Sequence, residues 1–249
     1  SVHYAFKCNS VPAVVDIVRR AGLKAEVMTE FELELALRIG YKGEEIIVNG
    51  PCKTPRFLYA CVQAKARLIV VDSLDELRDL AAIACSLERD VDILLRVNPD
   101  YIPRGMNRGS ATGSRKGCAF GLDVKGGEVT AALNYLARTL RLHFQGYHLH
   151  IGTGIRDPKD YSRALRCLPA LINQAQSAGL GVKILDVGGG FAAMTTRELT
   201  SFEMLAYESF GVLPSTAPSS NDGQPSDFAR EIAGAVNQSF PSDALPELV

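Results

Sequence analysis

Short apolar runs alternate with amphipathic stretches along nearly the whole chain, and this alternation predicts repeated strand-helix units. Ser1 to Phe6 reads as a strand, and Asn9 or Ser10 then caps a helix with Pro12 in its first turn. That helix carries Val14, Val15, Ile17, Val18 and Ala21 on one face and stops at Gly22. Lys24 to Met28 is the second strand, and Thr29 caps a helix running through Phe31, Leu33 and Leu37 to Gly40. Glu45–Val48, Leu68–Val71 and Val91–Val97 are the next three strands. Helices fall between them, one from Thr54-Pro55 to Ala64 and one after Asp72-Ser73 through Leu74, Leu77, Leu80 and Ala81.

The hydrophobic period vanishes from Asp100 to Gly121 in favour of Gly, Arg, Ser and Pro, which predicts a long loop. Beyond it the pattern predicts a helix over Val129–Leu140, a sixth strand over Leu142–Ile151, one long helix over Pro158–Ala178 and a seventh strand over Val182–Val187. A helix near Ser201–Phe210, a disordered tract over Pro214–Ser226, a helix over Asp227–Gln238 and an eighth strand opening at Pro246–Val249 complete the reading. Eight apolar, β-branched strands alternating with helices place the chain in the α/β class as a nearly complete (β/α)8 TIM-like barrel. A doubly wound open sheet is the alternative, because alternation alone does not establish closure.

Composition adds limits. At 249 residues the chain can form one barrel domain spanning 1–249, and a hydrophobic share of 47% supports a substantial core. A formal net charge of -1 gives no electrostatic reason to expect nucleic acid or an anionic membrane as partner. With no apolar run near the roughly 20 residues that span a bilayer, a cytoplasmic protein is expected. The six cysteines show no metal-ligand spacing, so reduced thiols and no metal are expected. The chain opens inside a strand without a start methionine and stops inside another, as a piece of a longer protein would.

Candidate chemistry gathers at the predicted strand ends, which in a barrel converge on one face. Lys7 ends the first strand; a lysine desolvated there could act as a nucleophile towards carbonyl compounds, or it could snorkel to the surface. His148 and His150 are two apart and so share one side of a strand, either as site residues or as satisfied core histidines. Arg96 and Asp186 also sit near strand ends. The run Gly188-Gly189-Gly190 after Asp186 lets backbone approach a ligand and aim amide N–H groups at it, which suits a phosphate. It lacks the Walker lysine and the G-x-G-x-x-G spacing, so nucleotide binding is disfavoured.

Five motifs in order carry a resemblance: Tyr4-Ala5-Phe6-Lys7-Cys8-Asn9, Leu95 to Asp100, Thr112-Gly113 with Phe120 to Asp123, His148 to Thr153, and Asp186 to Phe191. Together they resemble the pyridoxal 5'-phosphate (PLP)-dependent decarboxylases of the alanine-racemase-like fold, among them the diaminopimelate, ornithine and arginine decarboxylases. The diaminopimelate enzymes are the most similar. The resemblance implies that Lys7 binds PLP as a Schiff base, that His150 stacks on its ring, and that Gly188, Gly189 and Gly190 hold its phosphate beside Thr153, where serine is usual. It places Arg96 beneath the ring, puts Asp186 among the cofactor-binding residues, and sets Glu26, Thr29 and Glu32 at the family's acidic, serine and glutamate positions. Glu26 replaces the usual aspartate, and Ala119 stands where a lysine commonly precedes Phe-Gly.

The family's Glu-Pro-Gly-Arg motif and its C-terminal β-domain are not found in this sequence. The implied activity is decarboxylation of an amino acid, meso-diaminopimelate to lysine in lysine biosynthesis, by a homodimer when full length, with residues 1–249 alone inactive. An ornithine- or arginine-type decarboxylase, a non-catalytic decarboxylase-like binding protein and a single-domain PLP carrier remain as alternatives.

Overall fold

The computed structural model describes residues 1–104, 118–192, 200–213 and 224–249. Its strands are β1 (His3–Ala5), β2 (Lys24–Val27), β3 (Ile46–Val48), β4 (Leu68–Val71), β5 (Val91–Asn98), β6 (Leu122–Asp123), β7 (Leu142–His148), β8 (Ile184–Asp186) and β9 (Glu247–Leu248). The helices are α1 (Pro12–Arg20), α2 (Glu30–Ile39), α3 (Pro55–Gln63), α4 (Leu74–Ser86), α5 (Glu128–Leu136), α6 (Lys159–Ala164), α7 (Leu168–Ser177), α8 (Ser201–Phe210) and α9 (Pro225–Ser239). Eight strands form one parallel sheet in the order β1-β2-β3-β4-β5-β7-β8-β9, with β6 a short extra strand on β5.

Side chains alternate between the two faces of this sheet, and the register separates them into two cores. Ala25, Val27, Val48, Ile69, Leu95 and Leu185 point outward into the large core shared with the helices. Ile47, Leu68, Val70 and Leu94 point inward and pack together, with Ile184 and Val249 against them. Residues of β3 and β8 therefore meet across an enclosed lumen. The curled sheet also brings its edges together: the Ser1 backbone nitrogen donates to the Leu248 carbonyl at 2.6 Å. Below the lumen Arg67, just ahead of β4, forks onto both carboxylate oxygens of Glu247 at 2.7 Å each. The fold is the expected α/β barrel rather than a doubly wound open sheet.

Several expected boundaries differ. The helix expected over Pro158–Ala178 is broken into α6, a 3-10 turn at Leu165–Cys167, and α7. Pro169 lies near this break, and proline supplies no N–H to the preceding turn. The sixth strand ends at His148 rather than Ile151, and Leu122-Asp123, expected only as the end of a loop motif, pairs with Val97 and Asn98. The last helix starts at Pro225, two residues inside the tract expected to be disordered; 214–223 and Thr112-Gly113 lie outside the described residues.

Two N-caps of the same design follow β2 and β4, each with a glutamate that reaches back to the residue before the cap. Thr29 accepts from the Glu32 N–H at 3.2 Å while Glu32 accepts from the Met28 N–H at 2.6 Å. Ser73 and Glu76 repeat the arrangement at α4, with Glu76 accepting from the Asp72 N–H at 3.2 Å. Both arrangements pin the strand end to the helix start. Thr29 and Glu32 thus serve as helix-start groups.

Candidate active site

At the C-terminal ends of the strands the inward positions change from aliphatic to polar. Glu26 on β2, Asn49 after β3, His148 on β7 and Asp186 on β8 form a belt across the lumen. The Asn49 amide nitrogen lies 3.3 Å from the Glu26 carboxylate and 3.2 Å from His148 Nε2. His148 Nδ1 lies 2.9 Å from Asp186 Oδ2, off the line of a good N–H···O bond, and Asp186 Oδ1 accepts from the Gly188 N–H at 2.8 Å. With Asn49 donating, His148 Nε2 is the acceptor, which leaves the ring proton on Nδ1 facing Asp186.

Burial alone would raise the Asp186 carboxyl, but His148 and the Gly188 N–H outweigh it and hold the group below the usual carboxylate range. Glu26 goes the other way. Burial and the neighbouring Asp186 raise it, against the pull of His148 and Lys7.

A second polar group fills the rim beside β4 and β5. Arg96 reaches Asp72 at 3.3 Å, its guanidinium lies 4.8 Å from the centre of the Phe120 ring, and Asp72 also accepts from the Gly121 N–H at 3.0 Å. The loop after β3 carries Lys53, whose ammonium is fully buried, 2.8 Å from Glu76 and 2.5 Å from the Gly50 carbonyl. Lys53–Glu76 and Arg96–Asp72 together tie the ends of β3, β4 and β5 into one unit.

Lys7 stands apart from these pairs. It lies in a 3-10 turn (Phe6–Cys8) just past β1, and its side chain is exposed, which corrects the expectation of a desolvated lysine. The turn rotates the chain out of the strand. Lys7 makes no hydrogen bond or ion pair among the described residues, and its charge acts on Glu26 and His150. His150 lies beyond the end of β7, half-buried. Burial, together with neighbouring His148, Lys7 and Arg96, pushes its imidazole down to about 3, so it is neutral at physiological pH.

The two histidines have separated places: His148 is buried in the lumen between Asn49 and Asp186, and His150 borders the glycine loop. A Cβ on Gly188 would come within 2.9 Å of His150 Nδ1, and one on Gly190 within 2.0 Å of the Gly152 carbonyl. Backbone at these two positions, at φ of +66 and +95, must therefore be glycine to press against the loop after β7. Gly189 differs, because a Cβ there meets nothing within 4 Å. The N–H groups of Gly189 and Gly190 have no partner among the described residues. Thr153, exposed, lies on the neighbouring loop, which is zipped to the glycines by Ile155 N–H to Gly190 O at 2.9 Å. Bare amides beside open space fit a phosphate, and an unpaired lysine on the same rim fits an aldehyde.

Sequence reasoning missed Asn49, Lys53, Asp72, Glu76 and Tyr161. Asn49-Gly50-Pro51 reads as a turn, yet it places an amide in the lumen. The repeat of Thr29-x-x-Glu32 at Ser73-x-x-Glu76 was the available signal for Glu76.

Comparison with known proteins supplies the family. Residues 1–242 match the model of the pyridoxal-dependent decarboxylases, pyridoxal binding domain. Diaminopimelate decarboxylase of Actinosynnema pretiosum subsp. auranticum is 35% identical over 191 residues, covering 77% of this chain and 42% of that protein. Ornithine decarboxylase of Neurospora crassa is 31% identical over 203 residues, covering 82% and 38%. The crystal structure of diaminopimelate decarboxylase from M. jannaschii superposes with a TM-score of 0.81 at 23% identity, covering 99% of this chain and 52% of that one, a likeness of fold. The chain spans about half the length of the curated relatives it matches. It belongs to the pyridoxal-dependent decarboxylases, within their pyridoxal binding domain.

Proposed function

We propose that the chain is the PLP-holding part of an amino-acid decarboxylase acting on meso-diaminopimelate, with Lys7 as the residue that binds PLP covalently. One observation carries this reading. The buried charges of the rim are paired, while among the described residues Lys7, half-buried His150 and the amides of Gly189 and Gly190 are left without hydrogen-bond partners, with His150 beside Gly188 and within the field of Lys7. PLP supplies an electron sink for the pair left behind when a carboxylate departs as CO2.

The chain's own residues bind and orient. Gly188 to Gly190 and Thr153 would hold the phosphate, and the neutral His150 ring would offer its face to the pyridine. Arg96, fixed by Asp72 and Phe120, would lie beneath it, and Asp186 would act at one remove through His148 and the Gly188 peptide. Glu26, with its raised carboxyl, can hold a proton near Lys7.

The diaminopimelate relatives support that substrate, and the Neurospora crassa ornithine decarboxylase supports an ornithine-type substrate as the second reading. The full-length protein would work as a cytoplasmic homodimer in lysine biosynthesis. Residues 1–249 alone are expected to bind PLP without turnover, because the Glu-Pro-Gly-Arg carboxylate is not among them. Borohydride reduction after PLP addition tests the reading: the label should sit on Lys7, and Lys7→Ala should abolish the visible absorbance. A label on Lys24, Lys53 or Lys116 instead refutes the assignment.

A further inference from the structure

Tyr161 lies in α6, outside the lumen, and is 2% exposed. Its ring packs against Phe191 and Phe228, with centroids 5.2 and 5.8 Å away. Its hydroxyl donates to the Gly189 carbonyl at 2.7 Å. A peptide unit is planar and trans, so its C=O and N–H point in opposite directions. A Gly189 carbonyl held towards the helix layer therefore turns the Gly190 N–H away from that layer, towards the opening. That N–H has no partner among the described residues.

The peptide in question joins two glycines, the pair least able to resist a flip of the peptide plane by their own backbone preferences. An outside latch is needed if the cradle is to be formed before its ligand arrives. Burial also raises the Tyr161 phenol, which keeps it a hydrogen donor at any physiological pH.

We propose that Tyr161 is a positioning residue for the phosphate group of PLP: its hydroxyl fixes the Gly189-Gly190 peptide so that an N–H faces the anion. This rests on the reading of the glycine loop as the phosphate cradle. The neighbouring Asp160 accepts from the Arg104 N–H at 3.3 Å and pairs with Arg163 of its own helix at 3.0 Å.

Tyr161→Phe in the full-length protein removes the hydroxyl and keeps the ring between Phe191 and Phe228. PLP and pyridoxal affinities are measured by visible absorbance titration, with the 31P resonance of bound PLP as a second readout. PLP should bind about three- to tenfold more weakly, as expected for one lost hydrogen bond, with pyridoxal unchanged and the 31P resonance shifted. Unchanged PLP affinity overturns the proposal. So does an equal loss for both ligands or a variant that fails to fold, since either marks a structural role. A parent protein that binds PLP no better than pyridoxal removes the cradle reading itself, and the inference with it.

Discussion

Replacing Lys53 by methionine removes one charge of a buried pair and leaves the other. The Lys53 side chain is 0% exposed and that of Glu76 6%, so neither charge can turn to solvent when its partner is lost. In Lys53→Met the Glu76 carboxylate keeps only the Asp72 N–H. Breaking such a pair from one side typically costs ~3–5 kcal/mol. At 2–4 °C per kcal/mol for a domain of this size, the melting temperature should fall by roughly 6–20 °C. Lys53→Met combined with Glu76→Gln removes both charges and keeps an acceptor for Asp72. It should recover most of the loss, giving a coupling energy of several kcal/mol in the double-mutant cycle.

The pH dependence supplies an independent sign. Burial already raises the Glu76 carboxyl, against the pull of Lys53, and without that pull it rises further. A folded state that binds more protons than the unfolded state gains stability as pH falls. Lys53→Met should therefore regain part of its lost stability between pH 7 and 5, while the double variant should not. Urea unfolding across that range measures both effects. Single variants within about 1 kcal/mol of the parent, or a double variant costing the sum of the two, would refute the account of the pair.

Two further outcomes follow from the site. Gly189→Val should leave cofactor-free stability nearly unchanged, because its Cβ meets open space, yet weaken PLP binding at least about tenfold with pyridoxal little affected. Gly190→Ala should instead unfold the cofactor-free protein roughly 5–15 °C earlier, since its Cβ would stand 2.0 Å from the Gly152 carbonyl at a φ of +95. Equal stability losses for the two would contradict the geometry. His150, held down to about 3, stays neutral in the folded protein while the unfolded chain takes up a proton near pH 6.5, so its contribution lowers stability as pH drops below that value. Between pH 6.5 and 5 the His150 share is at most ~2 kcal/mol, and His150→Gln should flatten the cofactor-free stability profile by that amount.

The barrel was legible because its signal is repeated: short apolar strands alternate with amphipathic helices, and the helices after β2, β3 and β4 each open on a Thr or Ser cap. The broken helix was harder to see, since the apolar face continues through Leu165, Leu168 and Leu171 on both sides of the break and only Pro169 marks it. Within the site, residues at strand ends could be placed from the alternation alone. Their states could not. Whether Lys7 is buried depends on the backbone leaving the strand at Phe6, and Asn49 enters the lumen because the chain turns only after it. Lys53 was hidden for a related reason: a lysine in a polar loop reads as solvated until a buried carboxylate from another helix is found against it.

The charges at the rim separate into two groups, and the separation tells structure from function. Lys53 with Glu76 and Arg96 with Asp72 neutralise each other inside the protein, as buried charges must. His148 and Asp186 add a third contact, whose second carboxylate oxygen is taken by the loop at Gly188. These contacts join the ends of β3, β4, β5, β7 and β8. Ties of this kind favour binding, because they reduce the ordering left to do when a ligand enters. What the pairs leave over is a short set with unspent capacity: the Lys7 amine, the His150 ring, and the Gly189 and Gly190 amides. A ligand that satisfies all of them needs a carbonyl carbon for the amine, a flat ring for the imidazole and an anion for the amides. Pyridoxal phosphate has all three on one molecule, so on the proposed reading one ligand would engage the whole set.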